Sequence, residues 1–280
     1  MTTAVFLGSE NLNHGETLRG LAMSLGSVNM DSILWQKHQK PVFDMLHELR
    51  PKALFCSSFD IDNDILNALD EYKDTRLVAI GYRPEIQLTK NCLICYETEK
   101  PEDYIAYHLE PAANTAAIGG SYNEIYKCDI MSICEQKPSI INTILADYQI
   151  KLFSFFNHIQ DDYRYLGKIP LNMFGSLVRS SKVFLEEHGS IHNLMNALAN
   201  GGSVLTKNKI FLKNDSIKVF NEENIEEILE EAIVNKNDNS DCQFDILKNH
   251  TYLNRLSDIM NILGHTKEAS LCKKQITNLV

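Results

Sequence analysis

His14 and Glu16 stand in the stretch Gly8-Ser9-Glu10-Asn11-Leu12-Asn13-His14-Gly15-Glu16-Thr17, directly after the apolar run AVFL. An imidazole or a carboxylate on a glycine-rich corner is placed as a general base toward a bound hydroxyl would be, and a solvated loop accounts for His14 as well. Asp60 and Asp62, in SSFDIDND, offer carboxylates to the hydroxyls of a ligand or serve as turn and cap formers. Two further corners are Gly119-Gly120-Ser121-Tyr122 and His188-Gly189-Ser190. At the latter, Ser190 caps the following helix, so free N–H groups and the positive dipole end point at whatever Gly189 lets approach. A diphosphate suits that position, while a plain N-cap beside a turn glycine is the competing explanation. GxGxxG and GxxxxGK[ST] are missing from these corners, which disfavours ordinary dinucleotide and P-loop sites. Arg164 and Lys168, in DDYRYLGKIP, carry charge that either approaches a diphosphate or faces solvent.

The elements that position these residues alternate. Short apolar runs at 4–9, 32–37, 53–58, 76–82 and 92–97 are separated by helical periodicity at 16–25, 41–50 and 63–72. A looser polar stretch follows Thr98, and a boundary is drawn near residue 112. Beyond it a strand is expected over 115–122, a helix over 139–148, a strand over 151–157, a helix over 172–181, a strand over 182–189, a helix over 191–199 and a strand over 203–207. Helices over 223–234 and 244–264 close the chain. Strands alternating with helices predict parallel sheets covered on both faces, so the expected organisation is α/β with two Rossmann-like domains, 1–112 and 113–280.

With 280 residues the chain exceeds a single ordinary core, which favours two domains. A net charge of −10 argues against a broad nucleic-acid surface. No apolar run has the length of a membrane span, and the opening MTTAVFLG lacks a basic n-region, so a cytoplasmic location is expected. The seven cysteines are odd in number and scattered through apolar segments, which suits reduced core thiols. Cys92-x-x-Cys95 has no second pair at zinc-ribbon spacing, and core packing is favoured over a metal or redox role.

The segment NLMNALANGGSVLT (193–206) resembles the Arg-Thr-Phe-Glu-Ala-x-Ala-Cys-Gly-Gly signature of the CgeB-like glycosyltransferases. HTYLNRLSDIMNIL (250–263) is similar to that family's closing His-Thr-Tyr-x-x-Arg helix, VFNEENIEEILEEAI (219–233) to the acidic helix before it, and AAIGGSY (116–122) to the corner opening its second domain. These pieces keep the family's order across residues 113–264. The resemblance implies a GT-B architecture, two Rossmann-like domains with parallel sheets facing across a cleft, the second holding a nucleotide-sugar donor without metal or other cofactor. It places His188, Gly189 and Ser190 at the donor phosphates, Gly119, Gly120 and Ser121 on the opposite wall, and Asn193 and Asn196 where the family has Arg and Glu. The family Glu is expected at the nucleotide ribose, and an Asn offers one acceptor there. Asn200 replaces the family Cys, and Lys207 stands where an acid is common. The implied activity is sugar transfer to a hydroxyl of a small molecule, glycan, protein or modified DNA base, the last disfavoured by net charge. A ligand- or partner-binding module that has lost catalysis is the alternative, and a nucleotide-sugar epimerase a further one. His250, Thr251 and Tyr252 are read as packing at the domain junction.

Overall fold

The computed structural model describes residues 4–8, 12–36, 40–88, 92–97, 100–142, 148–156, 159, 162–188, 190–207, 215–234 and 239–280. The chain divides into two units, Met1–Glu110 with Tyr252–Leu279, and Pro111–Thr251.

In the first unit, β1 (Ala4–Leu7), β2 (Ser32–Trp35), β3 (Ala53–Ser57), β4 (Arg76–Ile80), β5 (Leu93–Tyr96) and β6 (Ile105–His108) form one parallel sheet in the order β2-β1-β3-β4-β5-β6. Helices α1 (Leu12–Ser27), α2 (Val42–Leu49) and α3 (Asn63–Glu71) make the crossovers. Because helices cover the sheet, β1 and β3 are buried at every residue, and their sequences read as unbroken apolar runs. α2 and α3 meet the sheet through Val42, Met45 and Leu46 and through Ile65, Ala68 and Leu69, the i, i+3, i+4 stripe of an amphipathic helix.

The second unit holds β7 (Cys128–Ile133), β8 (Ile150–Ser154), β9 (Tyr165–Lys168), β10 (Ser181–Glu186), β11 (Val204–Thr206) and β12 (Ile217–Val219). All pair in parallel, in the order β12-β11-β10-β7-β8-β9. Read from β9, this is the 3-2-1-4-5-6 arrangement of doubly wound nucleotide-binding sheets. Helices α4 (Phe174–Arg179) and α5 (Ile191–Ala199) pack Phe174, Leu177, Leu194 and Ala197 against Met131 and Phe184 on one face. On the other, Ile225 and Leu229 of α6 (Ile225–Val234) cover Ile130, Leu152 and Val183.

The segment expected as one helix over 244–264 is two, α7 (Ser240–Asn249) and α8 (Tyr252–Ile262). Between them Thr251 bridges to Ala113, and the Ala113 N–H donates to the His250 carbonyl at 2.8 Å. The chain then leaves the second unit. α8 and the final α9 (Thr266–Leu279), expected with the second domain, belong to the first. The Tyr252 ring lies so close to Gly20 of α1 that any side chain there would overlap it. Arg255 bonds both the carbonyl and the carboxylate of Glu110, the Tyr107 hydroxyl donates to Asp258 at 3.0 Å, and Lys52 pairs with Glu268.

Two other expectations are corrected. Residues 115–122 do not form a strand: Asn114 accepts from the Ala116 N–H and closes a 3-10 turn at Thr115–Ala117, and Gly119 and Gly120 then adopt left-handed φ of 105° and 81°. The strand that opens this sheet is β7, whose apolar run is broken by Asp129 and Ser132. Of the helix expected over 139–148, Ser139–Asn142 forms a 3-10 turn, and 143–147 lie outside the described residues.

Candidate functional site

In parallel sheets, ligands gather at the carboxyl ends of strands where the strand order reverses. In the first unit that point lies between β1 and β3. His14 stands there, in the first turn of α1 and not on a solvated loop; it is 8% exposed. Its Nδ1 lies 2.7 Å from the Oγ of Ser57, the buried last residue of β3, and the same Oγ accepts from the Phe59 N–H at 3.2 Å. Gly81, after β4, makes room for the imidazole: at φ +84°, a Cβ there would fall 2.5 Å from His14 Cε1. Burial holds His14 below the ordinary histidine pKa, while the negative charges of Glu97 and Asp60 pull the other way. Beside it Phe59 packs on the imidazole at 5.4 Å between ring centres and carries the Arg83 guanidinium at 5.2 Å. The Ser58 hydroxyl is buried without a hydrogen-bond partner among the described residues.

Glu16 is not brought to this cluster. Two residues apart on a helix, His14 and Glu16 point to different faces, and the Glu16 charge is felt instead by the Tyr252 phenol, whose pKa burial raises. Asp60 ends a 3-10 turn at Ser58–Asp60, whereas Asp62 caps α3, its Oδ1 accepting from the Ile65 N–H at 3.0 Å.

In the second unit the order reverses between β7 and β10. Ser190 caps α5 as expected, its Oγ accepting from the Asn193 N–H at 3.2 Å. Gly189 lies outside the described residues. A further residue enters here, Glu186, 3% exposed at the end of β10: its Oε1 accepts from the N–H groups of His188 and Ser190 at 3.0 and 3.2 Å. A carboxylate thus takes donors that a phosphate would use. The same pattern recurs along this edge, where Glu135 accepts from the N–H groups of Phe155 and Phe156, and Glu187 from that of Ile140. His188 Nε2 donates to the Gln136 carbonyl at 3.0 Å, tying the corner to the residues after β7.

No family model matches the chain, and no curated protein sequence matches it. Solved structures do. The spinosyn forosaminyltransferase SpnP superposes with a TM-score of 0.55 at 10% identity, covering 94% of this chain and 99% of that one. A UDP-GlcNAc 2-epimerase from Methanocaldococcus jannaschii gives 0.54 at 10% identity over 95% and 100% of the two chains. A Listeria monocytogenes protein assigned as a UDP-N-acetylglucosamine 2-epimerase gives 0.53 at 12% over 96% and 98%. The fold is GT-B.

Within the GT-B second unit, several nominated residues are committed to the chain itself. Asn193 Nδ2 donates to the Ile133 carbonyl at 3.0 Å, joining α5 to the end of β7. Asn196, 4% exposed, accepts from the Asn114 N–H at 2.7 Å. Asn200 accepts from the Gly119 N–H at 3.0 Å and donates to the carbonyls of Ala117 and Asn196. The Gly119-Gly120 corner packs on α4, where a Cβ on Gly175 would meet the Gly119 carbonyl at 1.9 Å. Ser121 is exposed. Arg164 is held bidentately by Asp162 at 2.8 and 2.7 Å, and Lys168 is exposed on the edge strand β9. Lys207 pairs with Glu187. Cys92 and Cys95 are buried free thiols; burial pushes Cys92 up to about 12 and raises Cys95 as well, which leaves neither as a thiolate at neutral pH. Among the described residues no helix is long and apolar enough to cross a membrane.

Proposed function

We propose that this chain is a nucleotide-sugar-dependent glycosyltransferase of CgeB-like type, the first unit taking the acceptor and the second the donor. The buried His14–Ser57 pair at the β1/β3 reversal carries this reading. In it, Nδ1–H donates to Ser57, which makes Nε2 the basic nitrogen of the ring and the atom that takes the acceptor proton. As the acceptor oxygen bonds the anomeric carbon, the bond from that carbon to the diphosphate oxygen breaks and its electron pair leaves with the nucleoside diphosphate. The acceptor proton passes to His14, whose imidazolium is favoured by the charges of Asp60 and Glu97. A neutral histidine held by burial and surrounded by negative charge meets both needs of a base: it is unprotonated before the step and tolerates the proton after it.

Glu186 favours a second reading, a module that binds a ligand without transfer, because its carboxylate stands where the leaving diphosphate would be stabilised. On the transferase reading, the diphosphate displaces Glu186. Glu186→Gln keeps an acceptor for both N–H groups and removes the charge, so nucleoside diphosphate affinity measured by calorimetry should rise about tenfold or more. An unchanged affinity would take the donor phosphates away from this corner. A panel of nucleotide sugars separates the readings: released nucleoside diphosphate supports transfer, saturable binding without release supports the module, and an isomerised donor supports an epimerase.

A further inference from the structure

Three consecutive residues at the end of β3 gather around the His14 imidazole. Ser57 meets its Nδ1, Phe59 packs on its ring, and Ser58, between them in the chain, is 2% exposed. By accepting from the Phe59 N–H, the Ser57 Oγ bends the chain into the 3-10 turn that begins at Ser58. A serine in a turn ordinarily bonds a nearby carbonyl, yet the buried Ser58 hydroxyl has no hydrogen-bond partner among the described residues. An unpaired buried hydroxyl costs stability that a bond from a ligand recovers. Gly81 locates it. A Cβ on that glycine would stand 3.0 Å from the Ser58 Oγ and 3.0 Å from the His14 Nε2. The two atoms are therefore at most about 6 Å apart, a gap that one oxygen can span with two hydrogen bonds of about 3 Å.

The chemistry of that oxygen follows from its two neighbours. With Nδ1–H donating to Ser57, Nε2 accepts, so the oxygen must bring it a proton, and it must also take the Ser58 O–H on a lone pair. A hydroxyl does both. Carbonyl and carboxylate oxygens lack the proton, and an ammonium leaves the Ser58 proton unpaired. The Phe59 ring, 55% exposed, adds an apolar surface beside this point for the carbon framework that carries the hydroxyl. Arg83 lies over that ring with its Nε bonded to Glu85 at 2.8 Å, so its charge is already engaged and does not call for an anion. We propose that Ser58 is a substrate-binding residue: its hydroxyl holds the oxygen of an uncharged alcohol whose proton points at His14 Nε2 and whose apolar face lies on Phe59. The proposal rests on the histidine tautomer of the transferase reading and narrows the acceptor to such an alcohol.

Benzyl alcohol and toluene share a ring that can lie on Phe59 and differ only by a hydroxyl, which makes them the probes. Binding is followed at about pH 8, where the imidazole is neutral, through the His14 ring resonance of protein carrying isotope-labelled histidine, identified by its loss in His14→Ala. An uncharged hydrogen bond adds about two- to tenfold in affinity, so benzyl alcohol, making two, should bind about tenfold or more above toluene. Ser58→Ala should lower benzyl alcohol affinity about two- to tenfold, leave toluene affinity unchanged and melt no lower than the parent, because no bond within the fold is lost. No preference for the alcohol, undiminished alcohol binding by folded Ser58→Ala, equal losses for both probes, or a lower melting temperature in the variant would each overturn the assignment. No donor is present in these measurements. A chain that binds benzyl alcohol through Ser58 and releases nucleoside diphosphate from no donor keeps this site and loses the transferase reading.

Discussion

His14 sits under two opposing influences, burial that strips its proton and the carboxylates of Glu97 and Asp60 that would welcome it back. Its place after the first strand was legible, because a glycine-rich corner behind a buried strand is where ligands meet parallel sheets. Its partner was not: Ser57 lies 43 residues away and reads as an ordinary strand end. Glu186 was overlooked although a signal existed, since a lone acid closing the buried run VFLE must find donors somewhere. His192, partly buried in the first turn of α5, gives a test at this scale. Burial pushes it down to about 4, against about 6.5 in the unfolded chain, so the unfolded state binds more protons between those values and stability falls as pH drops through them. Urea midpoints at about pH 6.5 and pH 5 should differ in the parent and differ less in His192→Gln. An identical drop in both proteins would remove His192 from the pH response.

Elements with strong apolar periodicity were legible nearly to their ends: the helix expected over 191–199 is Ile191–Ala199, and the runs at 4–9, 53–58 and 76–82 contain β1, β3 and β4. The edge strands β6 and β9 escaped notice because only one side is paired and their sequences, IAYH and YLGK, are half polar, whereas the edge strand β2 was legible in the run at 32–37. The glycine corner misled for a different reason. AAIGG has the composition of a strand leading into a turn, yet its conformation is set by Asn196 and Asn200, which reach it from α5. That corner rests on Gly175 of α4, where a methyl group would meet the Gly119 backbone carbonyl. Gly175→Ala should therefore destabilise the second unit by about 1–3 kcal/mol despite the better helix propensity of alanine, as measured by chemical denaturation. A gain in stability would show that the corner yields to α4 at little cost.

The whole molecule crosses over once more than its sequence announces. A pattern such as YLNRLSDIMNI states that a helix has an apolar face, without stating which sheet it covers; the long-range contacts Tyr252–Gly20 and Arg255–Glu110 decide it. The first unit is thus completed by the last helices of the chain, and ending the chain after Thr251 should lower the unfolding midpoint seen by Trp35 fluorescence in that unit. An unaltered Trp35 transition would mean that α8 and α9 add nothing to the fold of the first unit. The central claim, that His14 draws the proton during sugar transfer, is tested most directly by nucleoside diphosphate release from a nucleotide-sugar panel in the parent and in His14→Ala. The account predicts release from at least one donor, lowered by about 10²–10⁴-fold in His14→Ala with donor affinity unchanged. Undiminished release in a folded His14→Ala protein, or release from no donor that the parent binds, would contradict it.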